Sequence, residues 1–206
     1  MAGIRRVVTG YGPDGRARVV SDEQVGSISP DQGDKWSIWA ADEPVRFPGD
    51  GSPPPFRGPL LPAPGGFQIT VFTLPANFNP DDLWGTDDPA LREQMFRASV
   101  DPQTHPLVPD PNPFGYGTVK GASALHTTAS MDCLMQISGE SVFVLEDTEI
   151  RLQPGDWLIV NGVPHSCRND LDEPAVLAGI VIGVRHDGVP LRTPATISAE
   201  RIPVQK

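Results

Sequence analysis

The sequence predicts an all-β protein. The second half of the chain alternates short β-prone runs with tight turn signals, and a stretch around residues 126–132 carries a polar stripe at period two. The 24 Pro and 21 Gly among 206 residues leave little room for long helices. Short strands so spaced pack as an antiparallel sandwich or barrel. The length suits one sizeable core, or at most one domain with a substantial appendage, and one core is the favoured reading.

Taken in order, Ile4 to Thr9 and Ala17 to Val20 read as a hairpin turning around Pro13, Asp14 and Gly15. A two-stranded ribbon is marginal in water, so this one is expected to pack on the main body or on a second subunit. Lys35 to Ala40 reads as a strand with Trp36, Ile38 and Ala40 on one face and Trp39 on the other. Residues 44–66 form a Pro/Gly-rich arm. The expected division is therefore an N-terminal hairpin and arm over 1–65, the main body over 66–184 with an insertion at 77–113, and a tail over 185–206.

Gly66 to Leu74 is a strand in which Phe67, Ile69, Val71 and Thr73 alternate with Gln68, Thr70, Phe72 and Leu74. The insertion carries one expected helix, capped by Asp87 or Asp88, with Pro89 in its first turn and Leu91, Met95 and Phe96 as its apolar face. A loop of that length is either a lid or a passive excursion. From Gly117 the expected strands are 117–128, 130–137, 141–146, 149–152, 156–160, 164–168 and 175–184.

The formal net charge of −10 argues against a nucleic-acid groove or an anionic membrane surface, both of which need concentrated Lys and Arg. No segment approaches the ~20 apolar residues of a membrane span, and the start lacks the apolar run of a secretory signal. With only Cys133 and Cys167, no disulfide framework is expected, which points to a reducing cytoplasm.

Two segments carry the chemistry. In an extended strand His126, Thr128, Ser130 and Asp132 project from one face, while Thr127, Ala129 and Met131 project from the other. A second segment, Gly155 to Asn169, brings His165. Two histidines and a carboxylate are a possible metal set. Thr128 and Ser130 are expected to hydrogen-bond a ligand, and Gln136, on the same face, either orients a substrate or is a core amide. Cys167 shares the inward face of His165, but nothing in the sequence lowers its pKa as catalysis would need. Cys133 and Met131 are packing residues, His105 a loop histidine and His186 an outside one. Trp84, Phe114 and Tyr116 either roof an apolar pocket or simply pack.

These segments resemble the two motifs of the cupin superfamily, G-x5-H-x-H-x3,4-E-x6-G and G-x5-P-x-G-x2-H-x3-N. In the second, Gly162, His165 and Asn169 fall at the family spacing, while Gly155 is one residue too close and the proline is missing. In the first, His126 and Gly139 are in place, Thr128 replaces the second His, Asp132 replaces Glu, and Gly121 is one residue late. The chain is closer still to a single-barrel subgroup reading H-x-T-x-[ST]-x-D.

The resemblance covers about residues 66–184 and implies a jelly-roll barrel, often dimeric. It also implies a divalent metal, Fe or Zn, held by His126, Asp132 and His165, and an enzyme activating a carbonyl or enolate, water or dioxygen. Two alternatives stand beside that reading. One is a metal-free acid/base isomerase, dehydratase or other lyase in which Asp132 orients a histidine. The other is a non-catalytic ligand-binding barrel. The expected partner is a small organic molecule with an apolar or aromatic part.

Overall fold

The computed structural model describes residues 3–29, 33–57, 61–80, 108 and 125–190, and its ten strands follow the turn signals of the sequence. They are β1 (Ile4–Tyr11), β2 (Ala17–Val25), β3 (Lys35–Ala41), β4 (Phe67–Leu74), β5 (Ser130–Ser138), β6 (Ser141–Val144), β7 (Glu149–Leu152), β8 (Trp157–Asn161), β9 (Ser166–Arg168) and β10 (Ala175–Gly183). A five-stranded antiparallel sheet runs β3-β4-β10-β5-β8, and a three-stranded one runs β7-β6-β9. The fold is all-β.

The two sheets meet through one apolar cluster. Leu74, Leu134, Ala175 and Leu177 come from the larger sheet and Phe143 and Leu152 from the smaller, with Phe72, Leu158 and Cys167 packed against them. Burying each large side chain here is worth about 1.5–3 kcal/mol. Strand register then fixes which side chains share this interior. Gln68 pairs with Val181, and Val181 with Asp132. Phe72 pairs with Leu177, and Leu177 with Gln136. The alternation of β4 is thereby settled, with Gln68, Thr70, Phe72 and Leu74 facing inward.

Two sequence expectations are corrected. In β3 a bulge between Ser37 and Trp39 breaks the alternation, so Trp36 pairs with the outward Val71 while Ala40 pairs with the inward Gln68. Trp36 and Ala40 therefore lie on opposite faces, and Lys35 and Ser37 face the interior. The expected strand over 117–128 is reduced, in its described part, to a single bridge residue, His126. Thr127, Thr128 and Ala129 are all buried and lie outside any strand. The remainder of that strand, the expected insertion helix and residues 191–206 lie outside the described residues.

The hairpin β1-β2, longer than expected, lies against the outer side of β3. Arg6 donates from Nη1 to the Ile38 carbonyl at 2.9 Å, and its guanidinium sits 5.4 Å from the centre of the Trp39 ring. The Tyr11 amide donates to the Gly49 carbonyl at 2.9 Å, tying the hairpin to the arm. Between hairpin, β3 and arm is a cleft of about 940 Å³, walled by Arg6, Val8, Trp39, Phe47 and Ile69. It opens on the outer face of the sheet, away from Asp132. Among the described residues no helix is long and apolar enough to cross a membrane.

Candidate functional site

The interior has a dry end and a polar end. Along β5 the inward side chains run Ser130, Asp132, Leu134, Gln136, so the chain passes from polar groups into the apolar cluster as its sequence alternation requires. At the polar end the chain crosses between sheets. His126, just before β5, and His165, just before β9, exchange both backbone hydrogen bonds at 3.0 Å, and their rings lie 4.6 Å apart between centroids, tilted by 46°.

His165 is buried and its ring is fixed. Nδ1 lies 2.8 Å from the Val163 carbonyl, which only accepts, so Nδ1 carries the proton and Nε2 presents its lone pair. Nε2 lies 4.0 Å from Oδ2 of Asp132. Burial pushes the His165 pKa down, a shift partly offset by the bond to Val163. Burial pushes the Asp132 pKa up, opposed by Ser130 and by the charges of His126 and Lys35. Oδ1 of Asp132 is buried and has no hydrogen-bond partner among the described residues. Burial thus disfavours the charged form of each group, a pairing suited to proton exchange with a third group.

That third group has to fit a 4.0 Å gap. An oxygen about 2.8 Å from both atoms would subtend roughly 90°, an ordinary angle for two hydrogen bonds. A divalent ion bonded to both at ~2.1 Å would subtend about 145°, far wider than tetrahedral or octahedral neighbours allow. Among the described residues, no three His, Cys, Asp or Glu side chains converge at metal-binding distances. As placed, the expected trio does not fit a metal.

The other expected pocket residues divide. Thr128 and Ser130 are buried beside Asp132, with the Ser130 hydroxyl donating to Thr128 Oγ1 at 2.8 Å. Gln136 lies on the inward face at the dry end, and its amide is fully engaged. It donates to the Ser138 carbonyl at 2.8 Å and accepts from the Ser141 hydroxyl at 2.6 Å. Cys167 faces inward opposite Phe143, and burial pushes its thiol up to about 12, away from thiolate chemistry. Asn169, the last residue of the second motif, donates to the carbonyls of Leu74, Pro75 and Glu173 and so fastens the end of β4. Trp84, Tyr116, Phe114 and His105 lie outside the described residues.

One residue escaped the sequence reading. Lys35 opens β3 on the inward face, and its charge and that of Asp132 act on each other. Burial lowers its pKa to about 8, against the pull of Asp132. Its signal was a lysine at the head of an otherwise apolar, Trp-rich strand, but the faces could be assigned only with the bulge known.

Among solved structures, the chain is similar to the cupin domain of Cnp3 from Schizosaccharomyces pombe, with 13% identity, a TM-score of 0.39, and 89% of this chain and 85% of that one covered. A cupin 2 conserved barrel domain protein from Salinispora arenicola gives 9%, 0.37, 76% and 81%. The cupin domain of an XRE family transcriptional regulator from Enterobacter cloacae gives 13%, 0.33, 58% and 83%. These neighbours are cupin barrels. No family model matches the sequence, and neither does any curated protein. The activity of this chain is to be decided by its own side chains.

Proposed function

We propose that the chain is a metal-independent acid/base enzyme acting on a small molecule at the polar end of the barrel, as an isomerase, dehydratase or other lyase. The observation that carries this reading is the 4.0 Å gap between the lone-pair nitrogen of His165 and the buried carboxyl of Asp132, which suits a hydrogen-bonded oxygen and not a ligated ion. In the forward step, a proton leaves a substrate carbon for Nε2 of His165. The Asp132 carboxyl, whose pKa burial raises, gives its proton in its acid form to the departing hydroxyl or to the enolate oxygen. Solvent then returns the proton from His165 to Asp132, which closes the cycle. His126, clamped to His165 through the backbone, holds the base in place and adds a second imidazole to the wall.

The test is solvent-deuterium exchange into a panel of small carbonyl and hydroxyl compounds, charged and neutral, followed by NMR on protein purified without chelator. Exchange is expected to persist in chelator and to vanish in His165→Asn. Exchange that stops with chelator and returns on adding Fe(II) or Zn(II), with matching metal content, would instead establish the metal-dependent reading.

A further inference from the structure

We propose that Lys35, Ser37 and Gln68 form the ligand-recognition end of the interior, and that the ligand is a small hydroxylated carboxylate. The proposal takes its location from the acid/base reading of Asp132 and His165, but its content comes from different residues.

Ser37 is inward, because its hydroxyl accepts from Gln68 Nε2 at 3.1 Å and it pairs with the inward Thr70. Lys35 lies two residues earlier, before the bulge, and so shares that face. It is half-buried there and senses the charge of Asp132, which places the two in one volume. A largely desolvated ammonium requires an anion close by. Among the described residues no carboxylate, Asp132 included, makes an ion pair with it. An incoming carboxylate supplies the missing charge, and an ammonium with a pKa of about 8 is still mostly protonated near neutrality to receive it.

The hydroxyl is indicated independently. Gln68 is 0% exposed and Asp132 8% exposed, yet Gln68 Oε1 and Asp132 Oδ1 have no hydrogen-bond partner among the described residues. The two residues flank Val181 in one cross-strand row, so their backbones are two strand spacings apart, roughly 10 Å. Each buried acceptor left unsatisfied costs about 1–3 kcal/mol, so two on one inward row call for donors. A ligand hydroxyl donates to one of these acceptors, while its carboxylate reaches Lys35 on the edge strand.

Calorimetric titration with lactate, 3-hydroxybutyrate and malate, each beside its neutral amide, tests the proposal. At least one acid is expected to bind, with its amide at least about tenfold weaker, the loss typical of one charged hydrogen bond. Lys35→Met should abolish the preference for acid over amide, and Lys35→Arg, which keeps the charge, should retain it. Gln68→Leu should weaken the hydroxy acid more than the matching deoxy acid. Binding of none of the three acids, equal binding of acid and amide, or an unchanged preference in a folded Lys35→Met would overturn the proposal. The two readings fail separately. Acids that bind through Lys35 without deuterium exchange refute the acid/base enzyme and leave this site, whereas exchange unaltered by Lys35→Met does the reverse.

Discussion

His126 and His165 hold each other by the backbone, each amide donating to the other's carbonyl at 3.0 Å, while their rings stand 4.6 Å apart. The bond pair joins the approach to β5 with the approach to β9, and hence the larger sheet with the smaller. The imidazoles are thus brought together by the closure of the two sheets. Side-chain chemistry at this end follows the backbone, and changes that move either approach segment should move the site.

Gly162 is such a position. It has φ of +59°, and a Cβ there would come within 2.8 Å of Cδ2 of His186, whose Nε2 lies 2.8 Å from the Gly162 carbonyl. Gly162→Ala should cost about 1–2 kcal/mol through strain and crowding, read as a lower urea midpoint. It should also shift the NMR resonances of the His165 ring, three residues on. Unchanged stability and an unchanged His165 spectrum would refute this account of the turn.

Asn169 should matter for the fold and not for the chemistry. Its amide serves three carbonyls, with 2.7 Å to Glu173 the shortest, and its Oδ1 accepts from the Leu171 amide at 3.0 Å. Asn169→Ala leaves these groups without their partner in a buried place, an expected loss of about 3 kcal/mol in equilibrium unfolding. A variant as stable as the parent would mean that solvent replaces the side chain.

Much of this was legible in the sequence, for reasons that differ by residue. The strand order of the second half followed from turn residues, because Gly139, Gly155 and Gly162 each adopt positive φ at a predicted break. The inward Ser130 and Asp132 followed from period-two alternation. What alternation could not supply was the bulge after Ser37, since one extra residue in a strand leaves no mark in the sequence and exchanges every later face. Lys35 stayed hidden for that reason. The metal expectation turns on distance, a quantity that motif spacing does not fix: Nε2 of His165 and Oδ2 of Asp132 stand 4.0 Å apart.

Cys167 should be inert while the protein is folded. A thiol raised to about 12 is ionised at pH 8 to only about one part in ten thousand, against roughly a quarter for a free cysteine. Alkylation by iodoacetamide, followed residue by residue by peptide mass spectrometry, should be on the order of a thousandfold slower at Cys167 than in urea. Prompt labelling of native Cys167 would show that the interior is open to solvent there.

The dependence of stability on pH should carry the signature of the two buried bases. For a base whose native pKa is lowered, the unfolded chain binds a proton that the folded chain refuses, so stability falls as pH drops through the interval between the two values. For Lys35 that interval runs from about 10.4 in the unfolded chain down to about 8 in the native one. For His165 it begins at about 6.5 and extends downward. Asp132, raised by burial, acts in the opposite sense above ~3.9, where the native state holds its proton longer. Urea unfolding of the parent should therefore show stability rising between pH 8 and pH 10, and Lys35→Met should flatten that rise. His165→Asn should leave the alkaline limb intact and remove part of the loss seen below pH 6.5. The two effects are separable because their intervals do not overlap, and an alkaline limb identical in parent and Lys35→Met would show that the ammonium is solvated and does not face the barrel interior.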